Sequence, residues 1–234
     1  MTLSLFLVEA LPSGADFTLD GPEGHHAADV ARLRVGEELL LGDGRGGTAH
    51  AVVRAVRRGA LDLSIVDRRY AAPPDPRLVV AQGIAKGERG ELAVQAMTEV
   101  GVDEIVPWPA ARSVAIWRDE KPLTRWRATV REAAKQARRA WIPPVSAPLP
   151  TPGLAARATL VLDSAASVPL SAVDLPAHGD IVLVVGPEGG IAEQELDAFT
   201  GAGAVPVRLG DSVLRTSTAG VAALAVLQAR LGRW

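Results

Sequence analysis

The chain has 234 residues, 48% of them apolar, and a formal net charge of −2. This length and apolar content suit one large domain or two small ones with a real core. No cysteine is present, which excludes disulfides and thiolate metal sites, and the four histidines, His25, His26, His50 and His178, lack metal-ligand spacing, so no metal is expected. The run Met1–Glu9 carries no early Lys or Arg and its apolar stretch is broken by Glu9, which does not fit a signal peptide. No apolar run approaches the roughly 20 residues of a membrane span. These features predict a soluble, cytoplasmic protein with no membrane association.

Residues 1–70 read as β structure. Short apolar runs at Leu39–Leu41, Ala51–Val53 and Leu61–Val66 are separated by turn signals, of which Gly42–Gly47 is the clearest. A small barrel with a helix near Ala27–Leu33 is expected, and His25–His26 reads as a surface turn or helix start. Prolines at Pro73, Pro74 and Pro76, and again from Pro143 to Pro152, interrupt helix and central strand alike. Residues 77–234 read as α/β with a parallel sheet. Strands are predicted at Leu78–Ala81, Glu104–Trp108, Thr159–Leu162, Ile181–Val185 and Val205–Leu209. Helices are predicted at Glu88–Val100, stopping at Gly101, and at Pro122–Ala140, Ala192–Phe199 and Thr218–Leu231.

Charge is unevenly distributed. Residues 112–139 hold nine basic and three acidic groups, a local net of +6, which leaves the remainder at −8. On the helix predicted there, Leu123, Trp126, Val130, Ala133, Ala137 and Trp141 form an apolar stripe. Arg127, Arg131, Lys135 and Arg139 recur every four residues on another face, beside Arg138. With Glu132 as the one interleaved acid, this strip reads as a phosphate-binding surface rather than an ordinary solvated face. Trp117 or Trp141 would offer a stacking face.

The strongest local signal is Ile181–Ile191, a buried strand running into the glycine-rich loop Gly186-Pro-Glu-Gly-Gly190 with a helix behind it. Ligands bind at such turns in open α/β sheets. The loop lacks the dinucleotide and P-loop patterns, and Glu188 would repel a phosphate, so hydroxyls, an amine or a cation fit better. The second signal, Leu209-Gly-Asp-Ser-Val-Leu-Arg-Thr216, also follows a strand and opens a helix, with Thr216 or Ser217 as the expected cap. That helix is apolar nearly all round, which predicts burial within the domain or against a second subunit. Arg215 at its start reads either as one half of a salt bridge, to Asp211 or Glu188, or as a group facing substrate. Lys86 and Glu88 occupy a further strand-to-helix turn and would be surface residues when taken alone.

Together these motifs resemble the small-subunit ribosomal RNA methyltransferase E family of the SPOUT superfamily. The resemblance covers essentially the whole chain. It rests on Gly186–Gly190 and Leu209–Ala219, in this order and at this separation, supported by Lys86–Arg89, Gln95–Val102, Ile105–Pro107 with Arg112 and Ser113, Glu132–Arg139, His26–Arg34 and Gly42–Gly46. It implies a PUA-like barrel over 1–70 and a SPOUT methyltransferase domain over 77–234, with a parallel sheet and a deep trefoil knot at about 159–220. It also implies a homodimer and a reaction: methyl transfer from S-adenosylmethionine (SAM) to N3 of one uridine in 16S ribosomal RNA, the partner being that RNA or the small ribosomal subunit. In this reading Leu162, Val185, Gly186, Pro187, Glu188, Gly189, Gly190, Leu209, Gly210, Val213, Leu214 and Thr216 line the methyl-donor pocket. Arg215 and Glu188 are catalytic. Lys86, Arg112, Arg127, Arg131, Lys135, Arg138 and Arg139 meet RNA. The general base stays open between Glu188, Lys86 and solvent. The family often has Lys where Ala96 or Met97 stands and Glu where Ser217 stands. Three alternatives remain: a related enzyme acting on another nucleotide or a ribose 2′-hydroxyl, a non-catalytic ribosome assembly factor, and a small-molecule nucleotide-binding enzyme.

Overall fold

The computed structural model describes residues 3–234; of the run Met1–Glu9, the first two residues lie outside it. The chain divides into two compact units, one of Met1–Pro73 with Ala134–Ile142 and the other of Pro74–Ala133 with Pro143–Trp234.

The first unit holds a five-stranded sheet in the order β1-β3-β4-β5-β2. Its strands are β1 (Leu5–Leu7), β2 (Asp16–Leu19), β3 (Glu38–Gly42), β4 (Gly47–Arg57) and β5 (Ala60–Tyr70). β1 lies parallel to β3 and the other pairs are antiparallel. Apolar side chains alternate along β4 with Ala49, Ala51 and Val53 turned inward, the pattern of a sheet packed on one face. They meet Phe6, Leu39, Leu41, Leu61 and Leu63 in one core. The helix expected near Ala27–Leu33 begins earlier, as α1 (Gly21–His25) continued by a π-helical turn over His26–Val30. Pro22 at its start fits the fixed φ of a first helical turn.

The second unit is built on a six-stranded sheet in the order β7-β6-β10-β8-β11-β9, and every pairing in it is parallel. These strands are β6 (Arg77–Gly83), β7 (Glu104–Trp108), β8 (Leu160–Leu162), β9 (Val168–Pro169), β10 (Asp180–Val185) and β11 (Val205–Arg208). β6, β7 and β10 are buried along nearly their whole length, as a parallel sheet covered on both faces requires. The helices of the chain after β6 are α2 (Arg89–Glu99), α3 (Lys121–Gln136), α4 (Thr151–Ala155), α5 (Glu193–Gly201) and α6 (Thr216–Arg230). α2 stops where predicted, because Gly101 takes φ +95 just past its end.

Three further helix limits differ from expectation by two residues or more, the first being α5, which runs on to Gly201 rather than stopping at Phe199. α3 ends at Gln136 rather than Ala140, and the chain turns at Arg138 with φ +53. Ala137 is therefore exposed and does not extend the apolar stripe. α6 starts two residues early, with Arg215 at its N-cap and no side-chain cap bond, so neither Thr216 nor Ser217 caps it. Nor is α6 buried all round. Gly220, Ala223, Leu224 and Leu227 are buried, whereas Val221, Ala222, Ala225 and Val226 are half-buried. No helix among the described residues is long and apolar enough to cross a membrane.

Candidate functional site

In the second unit, the segments after β8, β10 and β11 meet around a cavity of about 520 Å³. It sits at the carboxyl ends of parallel strands, where open α/β sheets bind ligands, and its volume is that of a small-molecule site. Leu162, Val185, Ile191, Leu196, Val207 and Ala219 give it apolar walls. Asp163, Arg208, Arg215, Glu188 and Arg89 bring charge to its lining.

Eleven of the predicted donor-pocket residues lie on this wall: Leu162, Val185, Gly186, Pro187, Glu188, Gly190, Leu209, Gly210, Val213, Leu214 and Thr216. Gly189 does not. Its backbone lies against Arg112, whose Cβ a side chain at 189 would approach to 3.0 Å. Val213 is 84% exposed, which is unusual for an apolar residue at a cavity and marks the loop as accessible to a ligand.

Hydrogen bonds fasten the two loops together. The Thr216 hydroxyl donates to the Gly186 carbonyl at 2.7 Å. Glu188 Oε1 accepts the Lys86 N–H at 3.1 Å and stands 3.5 Å from Arg89 Nη1. Close packing adds to this, since a Cβ at Gly83 would fall 2.5 Å from the Pro187 nitrogen, so only glycine lets β6 meet the loop. Glu195, buried at the start of α5, accepts the Ala192 N–H at 3.2 Å, closing half of a capping box. Its other oxygen accepts from Ala111 N–H and the Thr151 hydroxyl, each at 2.9 Å.

Arg215 makes neither of the salt bridges weighed from the sequence. Asp211 pairs with Arg208 at 2.9 Å and Glu188 with Arg89. Among the described residues no carboxylate pairs with the exposed Arg215 guanidinium, which also lines the cavity. Ser217 is buried beneath the first turn of α6 and is not on the cavity wall. Asp163 and Arg208 escaped the sequence reading, and Arg89 entered it only as the end of the Lys86–Arg89 motif, with no site role. Each is a single charge next to an element end, with no periodic signal to mark it.

The basic residues divide into different environments. Lys135 is buried and does not offer its charge to a phosphate, contrary to expectation. Its Nζ donates to Glu23 at 2.7 Å and lies 5.4 Å from the centre of the Phe6 ring. Arg112 is exposed, yet its Nη1 donates to the Gly189 and Ile191 carbonyls, both at 3.3 Å, so it braces the glycine-rich loop. Lys86, Arg127, Arg131 and Arg138 are exposed and Arg139 is half-buried; Arg127 also donates through Nε to the Val145 carbonyl at 3.2 Å. Trp141 donates to the Ala71 carbonyl and meets Tyr70 edge-on, while Trp117 meets Trp126 edge-on with ring centres 4.9 Å apart. Among the described residues, no group of three or more His, Asp and Glu side chains is placed to hold a metal ion.

The RNA methyltransferase domain model matches residues 73–228, and the RNA methyltransferase PUA domain model matches residues 19–66. A ribosomal RNA small subunit methyltransferase E from Mycobacterium bovis is 48% identical over 100% of this chain and 94% of its own length. The protein of the same name from Synechocystis is 33% identical over 93% of this chain and 74% of its own length. The solved ribosomal RNA small subunit methyltransferase E from Neisseria gonorrhoeae, bound to SAM, superposes with a TM-score of 0.86 at 29% identity, covering 98% of both chains. A Legionella pneumophila protein, solved in complex with bound SAM, gives a TM-score of 0.83 at 28% identity over 98% of both chains.

Proposed function

The chain belongs to the ribosomal RNA small subunit methyltransferase E family, and on that premise we propose that it transfers the methyl group of SAM to N3 of a uridine in 16S ribosomal RNA. The observation that carries this reading is the cavity at the ends of β8, β10 and β11, apolar on its walls and charged on part of its lining, with Arg215 unpaired on it. SAM fits that chemistry, since it joins an apolar adenine to a zwitterionic amino-acid tail. It supplies an electrophilic methyl on a cationic sulfonium.

The residues divide the work as follows. Backbone groups of Gly186, Gly190, Leu209 and Gly210, with the apolar side chains of Leu162, Val185 and Leu214, would hold the donor. The Glu188 carboxylate favours a cation nearby. N3 lies on the Watson–Crick edge, so the uridine must be unpaired or flipped out to enter. Arg215 would bind the uracil oxygens and stabilise the charge that develops as the N3 proton passes to Glu188, Lys86 or solvent, the donor leaving as S-adenosylhomocysteine, as an oxyanion clamp does. Alignment of N3 with the methyl by these walls contributes further to rate.

Residues 1–70 serve as a PUA-like, barrel-forming RNA-binding domain and 77–234 as the SPOUT methyltransferase domain. Arg127 and Arg131 in the second unit, and Arg138 and Arg139 in the first, meet RNA phosphates, with Lys86 nearer the cavity. A trefoil knot spans about 159–220. Contacts at both ends of α6 are compatible with it: the Thr216 hydroxyl donates to the Gly186 carbonyl, and Gln228 Nε2 donates to the Val100 and Gly101 carbonyls at 3.0 Å. The half-buried face of α6, Val221, Ala222, Ala225 and Val226, serves a homodimer. The protein works in the cytoplasm.

The test is to incubate the full chain with methyl-labelled SAM and small ribosomal subunits from a strain lacking the enzyme, then digest the RNA. Label in 3-methyluridine is expected. Label in another base or in a ribose would replace the acceptor, and absence of label would contradict the enzyme reading.

A further inference from the structure

Gln82 is fully buried at the end of β6, behind the apolar run Leu78–Ala81. An amide in such a place costs stability unless it is hydrogen-bonded. Its Nε2 donates to the Gly83 carbonyl at 3.2 Å and to the Thr216 hydroxyl at 2.9 Å. Thr216, itself only 6% exposed, donates in turn to the Gly186 carbonyl at 2.7 Å. A hydroxyl has one proton. Because the Gln82 amide donates to the Thr216 oxygen, that proton is committed to Gly186. The opposite amide orientation would set Oε1 against the Gly83 carbonyl, acceptor against acceptor, so the direction of the relay is fixed chemically. The cost appears at Gln82 Oε1, which has no hydrogen-bond partner and faces α6 near Gly220.

We propose that Gln82 is a positioning residue for the methyl donor, fixing the Thr216 hydroxyl so that Gly186 and the Arg215–Thr216 start of α6 hold the two loops of the cavity in their binding geometry. This rests on the reading of the cavity as the SAM site. Gln82 is not on the cavity wall. It acts through Thr216 by removing freedom that binding would otherwise have to remove. The relay joins the end of β6 to a helix start 134 residues away and to a loop 30 residues before that start.

The experiment is titration of SAM into the purified full-length chain by calorimetry, with thermal melts and steady-state kinetics, for wild type, Gln82→Met, Thr216→Val and the double variant. Gln82→Met should raise Kd and KM for SAM about tenfold, the equivalent of about 1.4 kcal/mol, with a smaller change in kcat. Thr216→Val should lose a similar factor, and the double variant should bind no worse than the weaker single one, because both break one relay. A lowered Tm with wild-type Kd in Gln82→Met would overturn the proposal, as would losses that multiply in the double variant. If Gln82→Met does not fold, Thr216→Val decides alone, and wild-type affinity there overturns the proposal. A wild-type chain that does not bind SAM would instead overturn the reading of the cavity, and this inference with it.

Discussion

Arg112 Nη1 stands 3.3 Å from both the Gly189 and the Ile191 carbonyl oxygens, so one guanidinium bridges the glycine-rich loop from outside the cavity. The sequence motif marks Arg112 as an RNA contact; the geometry makes it a brace. Arg112→Ala should therefore weaken SAM binding, by about tenfold if roughly one charge-assisted hydrogen bond's worth of order is lost. The dependence of RNA affinity on salt should stay as in wild type. A phosphate contact would instead lower the slope of log K against log salt by about one.

Lys135 predicts the opposite kind of loss. Its ion pair with Glu23 is largely out of solvent, the two side chains being 9% and 16% exposed. Lys135→Met takes a cation away from a carboxylate that is largely out of solvent. The variant should be destabilised, read by chemical denaturation, and leave the salt slope of RNA binding unchanged. A stable variant with a shallower slope would restore Lys135 to the RNA surface.

Arg127 and Arg138 are exposed and carry the phosphate prediction. Each alanine substitution should weaken RNA binding about equally for all sequences and reduce the salt slope by about 0.7–0.9 per residue. SAM affinity, measured without RNA, should not move.

At the opposite end of the sheet from the cavity, Glu104 accepts from Arg77 at 2.9 Å and from the Ser146 hydroxyl at 2.7 Å, with Arg157 at 3.5 Å. Burial pushes its carboxyl up, but the Ser146 hydroxyl and the Arg157 and Arg77 guanidiniums outweigh it and hold the pKa below the ordinary glutamate value. A carboxylate depressed in the folded state contributes stability above its unfolded pKa and loses it as pH falls through the folded one. Acid unfolding of wild type should therefore steepen below about pH 4.3, the unfolded value. Glu104→Gln should be less stable at neutral pH and show a flatter acid limb. An unchanged acid limb in that variant would remove Glu104 from the account.

Much of this was legible locally. β7 falls at Glu104–Trp108 as the apolar run predicts, and the stop of α2 follows from Gly101. Strand-to-loop-to-helix order placed both glycine-containing loops at one end of the sheet. What stayed hidden depends on partners distant in sequence. Lys135 shares a four-residue spacing with Arg127 and Arg131, but Glu23, 112 residues earlier, takes its charge inward. Gln82 looks like an interruption in a strand until Thr216 comes beside it. The last turn expected of α3 is absent because the chain reverses at Arg138 with a positive φ, which no helical periodicity encodes.

The central claim is that the cavity between the segments after β8, β10 and β11 holds SAM. Ala219 lies on its wall, one turn into α6 and half-exposed, where a large side chain would fill the space without disturbing the core. Calorimetric titration of SAM into wild type and Ala219→Trp tests the claim directly. The account predicts saturable binding to wild type and none to Ala219→Trp, with ligand-free melting temperatures closely matched. Equal binding to both, or none to wild type, would contradict it.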